Sequence, residues 1–207
     1  MFSGNFWPVF KKILKWGAVT VAVLYVVVVL VRIPHFYNLR KTEEQVVKIH
    51  ATKLTLDDVA GINLPPDPGA LADATIEGVD ANQNGIRDDV ELAIFKEYPN
   101  SARTRAVLLQ YALALQMEMM QPIVNAGTVG AVANKADQAF FCVTKIVPKV
   151  GDVSRAIVVI ENYEKFLLDK QFNTEVRKNT RKDFYEHLGS GTTGESSCDI
   201  DLDSLPN

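Results

Sequence analysis

The chain has 207 residues, of which 47% are hydrophobic, and a formal net charge of −3. This length suits one ordinary domain with an appendage. Residues 1–34 contain four basic and no acidic residues, so residues 35–207 hold 18 Lys and Arg against 25 Asp and Glu, a net charge of −7. Such an acidic body lacks the basic face that phosphate backbones require, which excludes nucleic acid as a partner and favours cations or basic proteins.

The first predicted element is a transmembrane helix over residues 13–34. Its centre is the uncharged run WGAVTVAVLYVVVVLV, residues 16–31, which Lys15 and Arg32 flank. As a helix this run spans roughly 24 Å, somewhat less than the roughly 30 Å hydrocarbon core of a bilayer. Neighbouring apolar residues lengthen the stretch, and the flanking charges can reach the interface on their long stems. Aromatic residues at both ends are typical of a membrane interface.

A cleaved signal peptide is the alternative, and it requires small residues shortly before a cleavage point. The sequence that follows, RIPHFYNLRK in residues 32–41, has none, so an uncleaved signal anchor is favoured. Basic residues are nearly balanced on the two sides, which leaves the orientation weakly defined by charge. We expect residues 1–12 to form a cytoplasmic tail. The membrane would be a bacterial inner membrane with the body in the periplasm, for a reason given with the loop below.

Residues 35–74 are predicted to form a neck and a linker. The polar neck continues as helix in its first part, since it has no breaker before residue 61. Residues 61–74, GINLPPDPGALADA, are rich in proline and glycine and predict an irregular linker.

Residues 75–188 are predicted to form a small all-α domain of four or five helices. Pro99 ends one helix, and Asn100 and Ser101 are good N-caps for the next. Apolar residues then recur at steps of three and four, the helical period, in several stretches. These stretches are residues 107–119, 129–147, 153–170 and about 173–188. The run AIVVI, residues 156–160, fits a strand as well as a helix on its own, and Tyr163, Phe166 and Leu167 continue it in helical register.

Two cysteines are too few for a disulfide scaffold, and their spacing matches no zinc site. Cys142 lies in a predicted helix and Cys198 in a predicted flexible acidic tail, residues 189–207. Outside the cytoplasm a disulfide would pin the tail to the helices and stabilise the fold by roughly 4 kcal/mol. The alternative is one buried thiol and one exposed thiol. The aspartates at 199, 201 and 203 predict a solvated end.

The stretch GVDANQNGIRDDVE, residues 78–91, places oxygen-bearing side chains at alternate positions. Calcium takes about six to eight oxygen ligands at roughly 2.3–2.6 Å on a sharply turning loop. In a twelve-residue EF-hand loop the ligands stand at positions 1, 3, 5, 7 (a carbonyl), 9 and 12, with glycine at 6. Counted from Asp80, these slots contain Gly85 at the turn and a full set of candidate ligands. The candidates are Asp80, Asn82, Asn84, the carbonyl of Ile86, Asp88 and Glu91.

The loop therefore closely resembles the EF-hand calcium loop. It departs from that pattern at position 8, where Arg87 replaces the usual aliphatic residue, and in an entering segment too rich in proline and glycine for a helix. It is more similar to the isolated loops of dockerins and thrombospondin type 3 repeats. Together with YPNSARTRAVLLQYA, residues 98–112, it also resembles a family of uncharacterised, membrane-anchored bacterial proteins. That resemblance implies a location at a bacterial membrane and no activity.

The alternative is a plain polar turn in which Asp88 and Asp89 favour a helix start. A plain turn, however, does not need oxygens at alternate positions followed by glutamate at position 12. Three carboxylates and two amides predict a dissociation constant on the order of 10⁻⁴–10⁻³ M, as in extracellular modules. Cytosolic calcium would rarely fill such a site, which favours a periplasmic body. Without a second loop, a structural role is more natural than a switch.

No catalytic motif accompanies the loop. Gly-x-Ser-x-Gly is missing, and no Gly-Lys-Ser or Gly-Lys-Thr follows the Gly- and Ser-rich stretch near residue 190. The sequence predicts a single-pass, membrane-anchored, non-enzymatic calcium-binding protein that contacts lipid through one helix and binds an unidentified envelope protein. The alternative function is an envelope enzyme whose catalytic residues meet only in the fold.

Overall fold

A computed structural model describes residues 6–147, 153–189 and 197–206, and these contain helices but no β-strand. The predicted all-α class is confirmed. The chain divides into two compact units, Met1–Glu44 and Gln45–Asn207. The first unit contains most of helix α1, Phe6–Ala51, and the second contains the end of α1 and the remaining helices.

From Phe6, helix α1 continues without a break through the predicted membrane span and the start of the neck, with Pro34 inside it. Its most apolar part has a mean hydropathy of 2.3, and none of that part is buried. Large apolar side chains such as Leu24 and Val31 are well exposed. The helix is long and apolar enough to cross a membrane, and exposed apolar surface of this extent is unfavourable in water.

Six α-helices follow α1 in the described part of the chain. They are α2 (Leu56–Ala60), α3 (Asp88–Glu97), α4 (Ala102–Met120), α5 (Ala126–Lys145), α6 (Val153–Gln171) and α7 (Glu175–Glu186). Short 3₁₀ helices occupy Gly69–Asp73 and Leu202–Ser204. The sequence patterns predict α3 to α7 but miss α2, whose five residues are too few for a period. A capping box between Thr55 and Asp58 starts α2.

Helix α4 is the centre of the helical body. It packs against α2, α3, α5, α6 and α7, and most of its residues are buried. Because neighbours surround it, apolar residues occupy nearly every face of α4. Ser101 caps its first turn by accepting a hydrogen bond from the Thr104 backbone N–H (3.2 Å), as the sequence predicts.

The end of the chain packs onto the helical body, unlike the predicted solvated, flexible tail. A disulfide joins Cys198 to Cys142 of α5, with their Cα atoms 5.3 Å apart. The Asp199 side chain is only 8% exposed, and its Oδ2 accepts a hydrogen bond from the Leu54 backbone N–H (3.0 Å). Apolar side chains alternating with the aspartates pack against the core, so one side of the segment is buried; they are Ile200, Leu202 and Leu205. The predicted flexible stretch at 190–196 lies outside the described residues.

Replacing Cys198 with serine should lower the free energy of unfolding by roughly 4 kcal/mol, since opening the bridge frees a long loop in the unfolded chain. The two cysteines are 56 residues apart in sequence. Denaturant unfolding of the full-length protein in detergent measures the loss. A Cys142→Ser/Cys198→Ser double variant serves as control and should lose a similar amount. An unchanged unfolding midpoint in both would contradict a stabilising bridge.

Candidate metal site

Hydrogen bonds from backbone N–H groups to side-chain oxygens of the same segment hold the predicted calcium loop in its turn. Asp80 accepts from the backbone N–H groups of Asn84 (Oδ1, 3.1 Å) and Gly85 (Oδ2, 2.9 Å). Asn84 Oδ1 accepts from the N–H of Ile86 (2.8 Å). Gly85 has a φ of 85°, in the left-handed region that glycine adopts without strain. Aspartate and asparagine favour such turns because their short side chains reach the backbone two or more residues ahead.

Hydrogen bonds link four of the predicted ligand residues around this turn. Asn82 Oδ1 shares the Asn84 N–H with Asp80, at 3.4 Å. Asn82 Nδ2 donates to Glu91 Oε2 at 3.0 Å, across the loop. The Asn84 amide also lies near Glu91 and favours its charged form, yet its Nδ2 is buried without a hydrogen bond of normal geometry. Loop positions 1 and 3 therefore share a backbone donor, and the side chains at positions 3 and 5 adjoin Glu91 at position 12.

The remaining two predicted ligands are the Ile86 carbonyl and Asp88. The side chain of Ile86 is fully buried in the core, and its carbonyl as a ligand stays a prediction. Both carboxylate oxygens of Asp88 accept from the Ala81 N–H (3.0 and 3.2 Å), and burial is the main cause that raises the pKa of this carboxyl. Within the described residues no three His, Cys, Asp or Glu side chains are grouped so that they alone could hold a metal. A ninth-position ligand often acts through water, and amides complete the donor set of this loop.

Burial of Glu91 determines the charge state of its carboxyl group. It is 1% exposed, and burial is the main cause that raises its pKa to about 7; the hydrogen bond from Asn82 opposes this effect, while Asp58 and Asp88 add to it. In the described ranges no lysine or arginine lies within ion-pair distance of Glu91. Buried carboxylates are normally paired with a cation or bound to a metal. The amides of Asn82 and Asn84 face Glu91 with N–H groups, while the loop as a whole consists of carboxylate and amide residues, whose oxygens are of the kind that a hard cation such as calcium takes.

Arg87 explains the departure at loop position 8. Its side chain is completely buried, and its guanidinium bonds to both carboxylate oxygens of Asp89 (2.6 and 2.7 Å). It also donates to the carbonyls of Lys170 (3.0 Å) and Gln171 (3.1 Å), at the end of α6. The last carbonyls of a helix lack partners inside it. Arg87 therefore binds the loop to the end of α6. In a paired EF-hand, a second loop would stabilise this position instead.

Arg177 of α7 holds the segment before the loop, where an EF-hand would have its entering helix. This arginine is also fully buried. Its guanidinium bonds to the carboxylate of Asp73 and to Asn173 Oδ1 (2.6 Å). It further donates to three backbone carbonyls before the loop, those of Ala72 (2.6 Å), Thr75 (3.0 Å) and Ile76 (3.0 Å). The irregular linker is thus held in one conformation without being helical.

The sequence interpretation misses this role of Arg177. Arg177 stands on a strongly polar helix and resembles any surface arginine. Its partners in the linker lie more than 100 residues earlier in the chain, and no local spacing connects Arg177 to them. A similar long-range bond from Asn82 Nδ2 to the Asn63 carbonyl (3.0 Å) joins the loop to the linker.

The chain matches no protein-family model, no curated protein and no solved structure. The resemblance to isolated EF-hand loops therefore stays a prediction, and its support comes from the residues and their contacts.

Replacing Gly78 with alanine should destabilise the protein by more than about 2 kcal/mol, because a methyl group there meets buried atoms in a strained backbone conformation. Gly78 has a φ of 71°, and an added Cβ would lie 2.4 Å from Arg87 Cδ and 3.0 Å from the Ala72 carbonyl oxygen. Gly130 in α5, where an added Cβ meets nothing within 4 Å, provides the control. Gly130→Ala should be neutral or stabilising by about 0.5–1 kcal/mol in the same denaturant assay. Equal losses would argue against a tightly packed loop entrance.

The calcium-free protein should lose stability as the pH rises from about 4.5 to about 7. The folded-state pKa of Glu91, about 7, lies above the ordinary value of 4.5. The protonated Glu91 side chain therefore stabilises the folded state fully below pH 4.5, and this stabilisation is lost as the pH rises through 7. The total loss is at most about 3 kcal/mol. Denaturant unfolding in a chelating buffer measures it. Glu91→Gln should flatten this part of the profile, whereas a parallel decline in the variant would contradict the assignment to Glu91.

Proposed function

We propose that this protein is a single-pass, membrane-anchored protein whose helical body binds one calcium ion at residues 80–91 and acts without catalysis, as a binding partner in a bacterial envelope. The observation that carries this proposal is Glu91. It is a buried carboxylate with no cationic partner in the described residues, and the amides of Asn82 and Asn84 lie beside it. A bound cation would supply the missing positive charge.

The chain's own residues indicate a structural role for the ion. Asp80 and Asn82 belong to the segment after the linker, whereas Glu91 belongs to α3. Ionisation of Glu91 is unfavourable in its buried position, and a bound calcium ion makes it favourable. When Glu91 is ionised, the calcium ion would therefore join the segment after the linker to α3. The bond from Asn82 to the Asn63 carbonyl extends this connection to the linker.

Three features support an address on the periplasmic side of an inner membrane. Helix α1 is long and apolar enough to span a bilayer. The Cys142–Cys198 disulfide suits an oxidising compartment. Finally, a site of modest affinity needs calcium on the order of 10⁻⁴–10⁻³ M, a concentration that extracellular modules meet and a cytosolic site would not.

A non-catalytic role agrees with the other buried carboxylate near a cleft. Burial raises the pKa of Glu118, which is the kind of perturbation that catalytic acids show. However, one of its oxygens accepts from Arg181 Nε (2.9 Å) and the other from the Tyr185 hydroxyl (2.8 Å). With both oxygens engaged, Glu118 is poorly placed to exchange a proton with a substrate. The envelope-enzyme alternative gains no support from it.

Calcium should raise the melting temperature of the full-length protein in detergent, because the folded state alone presents the site. At ten times the dissociation constant the gain is about 1.4 kcal/mol. Glu91→Gln should lose at least about tenfold in affinity, measured by calorimetric titration with calcium chloride, since it removes the last ligand of the loop. Glu97→Gln changes the same charge on the same helix at an exposed position and should bind like the unaltered protein. No heat at millimolar calcium, or equal losses in both variants, would contradict the proposal.

A further inference from the structure

A cleft opens between the end of α6 and α7, away from the calcium ligands. It has a volume of about 470 Å³ and is lined by Leu168, Asp169, Phe172, Asn173, Lys178 and Arg181. Clefts of a few hundred cubic ångströms are the usual size for small-molecule sites. The cleft therefore has room for a small ligand, and its lining determines which chemistry it would take.

Arg181 is held rigidly at this cleft. Its Nε donates to Glu118 Oε2 at 2.9 Å, and its guanidinium lies 4.7 Å from the centre of the Phe172 ring and 5.4 Å from that of Tyr185. The Glu118 carboxylate is fully buried, whereas the Arg181 side chain is 30% exposed. Stacking on the rings and the bond to Glu118 together fix the plane of the guanidinium. A fixed guanidinium loses little conformational freedom when it binds a ligand.

The Nη end of Arg181 is available to such a ligand. In the described parts of the chain, the bond from Nε is the one hydrogen bond of normal geometry that Arg181 donates, and the Tyr185 hydroxyl, which donates to Glu118, also lies near the guanidinium. Because Nε is bonded to Glu118 and the Arg181 side chain is 30% exposed and lines the cleft, we expect a ligand to reach the Nη groups. Two parallel N–H groups there match the two oxygens of a carboxylate.

The other charged residues of the cleft favour an anion with a single charge. Lys178, on the same helix, adds a second cation whose partner, Glu175, is exposed to solvent and binds it weakly. Asp169 lines the same cleft, and its ion pair with Lys165 (2.6 Å) is exposed and therefore weak, so Asp169 would still repel a doubly charged phosphate more than a carboxylate. Leu168 offers an apolar wall for the body of the ligand.

We propose that the α6–α7 cleft binds a small monocarboxylate through a two-pronged contact with Arg181, assisted by Lys178. This site is separate from the calcium loop, and the proposal does not depend on calcium binding. Arg181 is the anchor, and Glu118 is the positioning residue that holds it.

Titration of the full-length protein in detergent with sodium butyrate tests the site. The NMR signals of ¹⁵N-labelled arginine side chains report on Arg181 directly. Butyrate should shift one of these signals saturably, with a dissociation constant of roughly 1–10 mM, as befits a ligand with few contacts. Butyramide, the neutral analogue, should cause no saturable shift, and inorganic phosphate should bind more weakly than butyrate.

Two variants distinguish a specific contact with Arg181 from a general attraction of the anion to positive charge. Arg181→Lys keeps the charge but loses the two-pronged geometry, and it should weaken butyrate binding at least about tenfold. If Arg181→Lys does not fold, since Glu118 is left with a poorer partner, Lys178→Gln carries the test. It should weaken binding about threefold by removing an exposed cation. Lys182→Gln, on an exposed position of the same helix, is the matched control and should bind normally.

Several results would overturn the proposal. They are the lack of saturable binding of butyrate, equal binding of butyramide, tighter binding of phosphate, and equal affinity of the Lys178 and Lys182 variants for butyrate. Unchanged butyrate binding by a folded Arg181→Lys protein would show that Arg181 serves only to neutralise Glu118.

Discussion

Two buried guanidinium groups hold the predicted calcium loop in place, and the fixed conformation of the segments on either side depends on them. Arg87 binds the loop to the end of α6, and Arg177 binds the segment before the loop to the start of α7. Both groups are completely shielded from water, where an unsatisfied charge would be costly. Both arginines are instead bonded to carboxylates and backbone carbonyls. A loop without an entering helix or a partner loop can thereby keep a defined shape.

The same arrangement gives the region a consistent distribution of charge. Positive charge is placed at the outer flanks of the loop, where Asp73 and Asp89 neutralise it. The inner side, around Glu91, holds carboxylates and neutral amide groups, and no lysine or arginine of the described residues pairs with Glu91. An arginine on the inner side would have occupied the place of a cation. The flanking pairs therefore order the loop without competing for the position that we assign to calcium.

The parts of the fold that were predictable depend on short-range patterns. The period of α4, the Ser101 cap and the sequence of oxygen-bearing residues in the loop all lie within a few turns of chain. Residues that act over long distances were not predictable, because their side chains are ordinary in their local setting. Arg177 and the packed segment 197–206 are the main examples. The candidate pair of cysteines was visible only because two such residues leave one possible pairing.

The disulfide between Cys142 and Cys198 also has a mechanical consequence. It closes a covalent ring that contains both α6 and α7. A pulling force applied between α1 and a point beyond Cys198 would pass from α5 through the sulfur atoms and bypass the ring. About 190 Å of chain could then not be drawn out at roughly 3.4 Å per residue. Under such a load α6 and α7 would carry no tension along the chain, whereas residues 72–91, which precede Cys142, would lie on the loaded path.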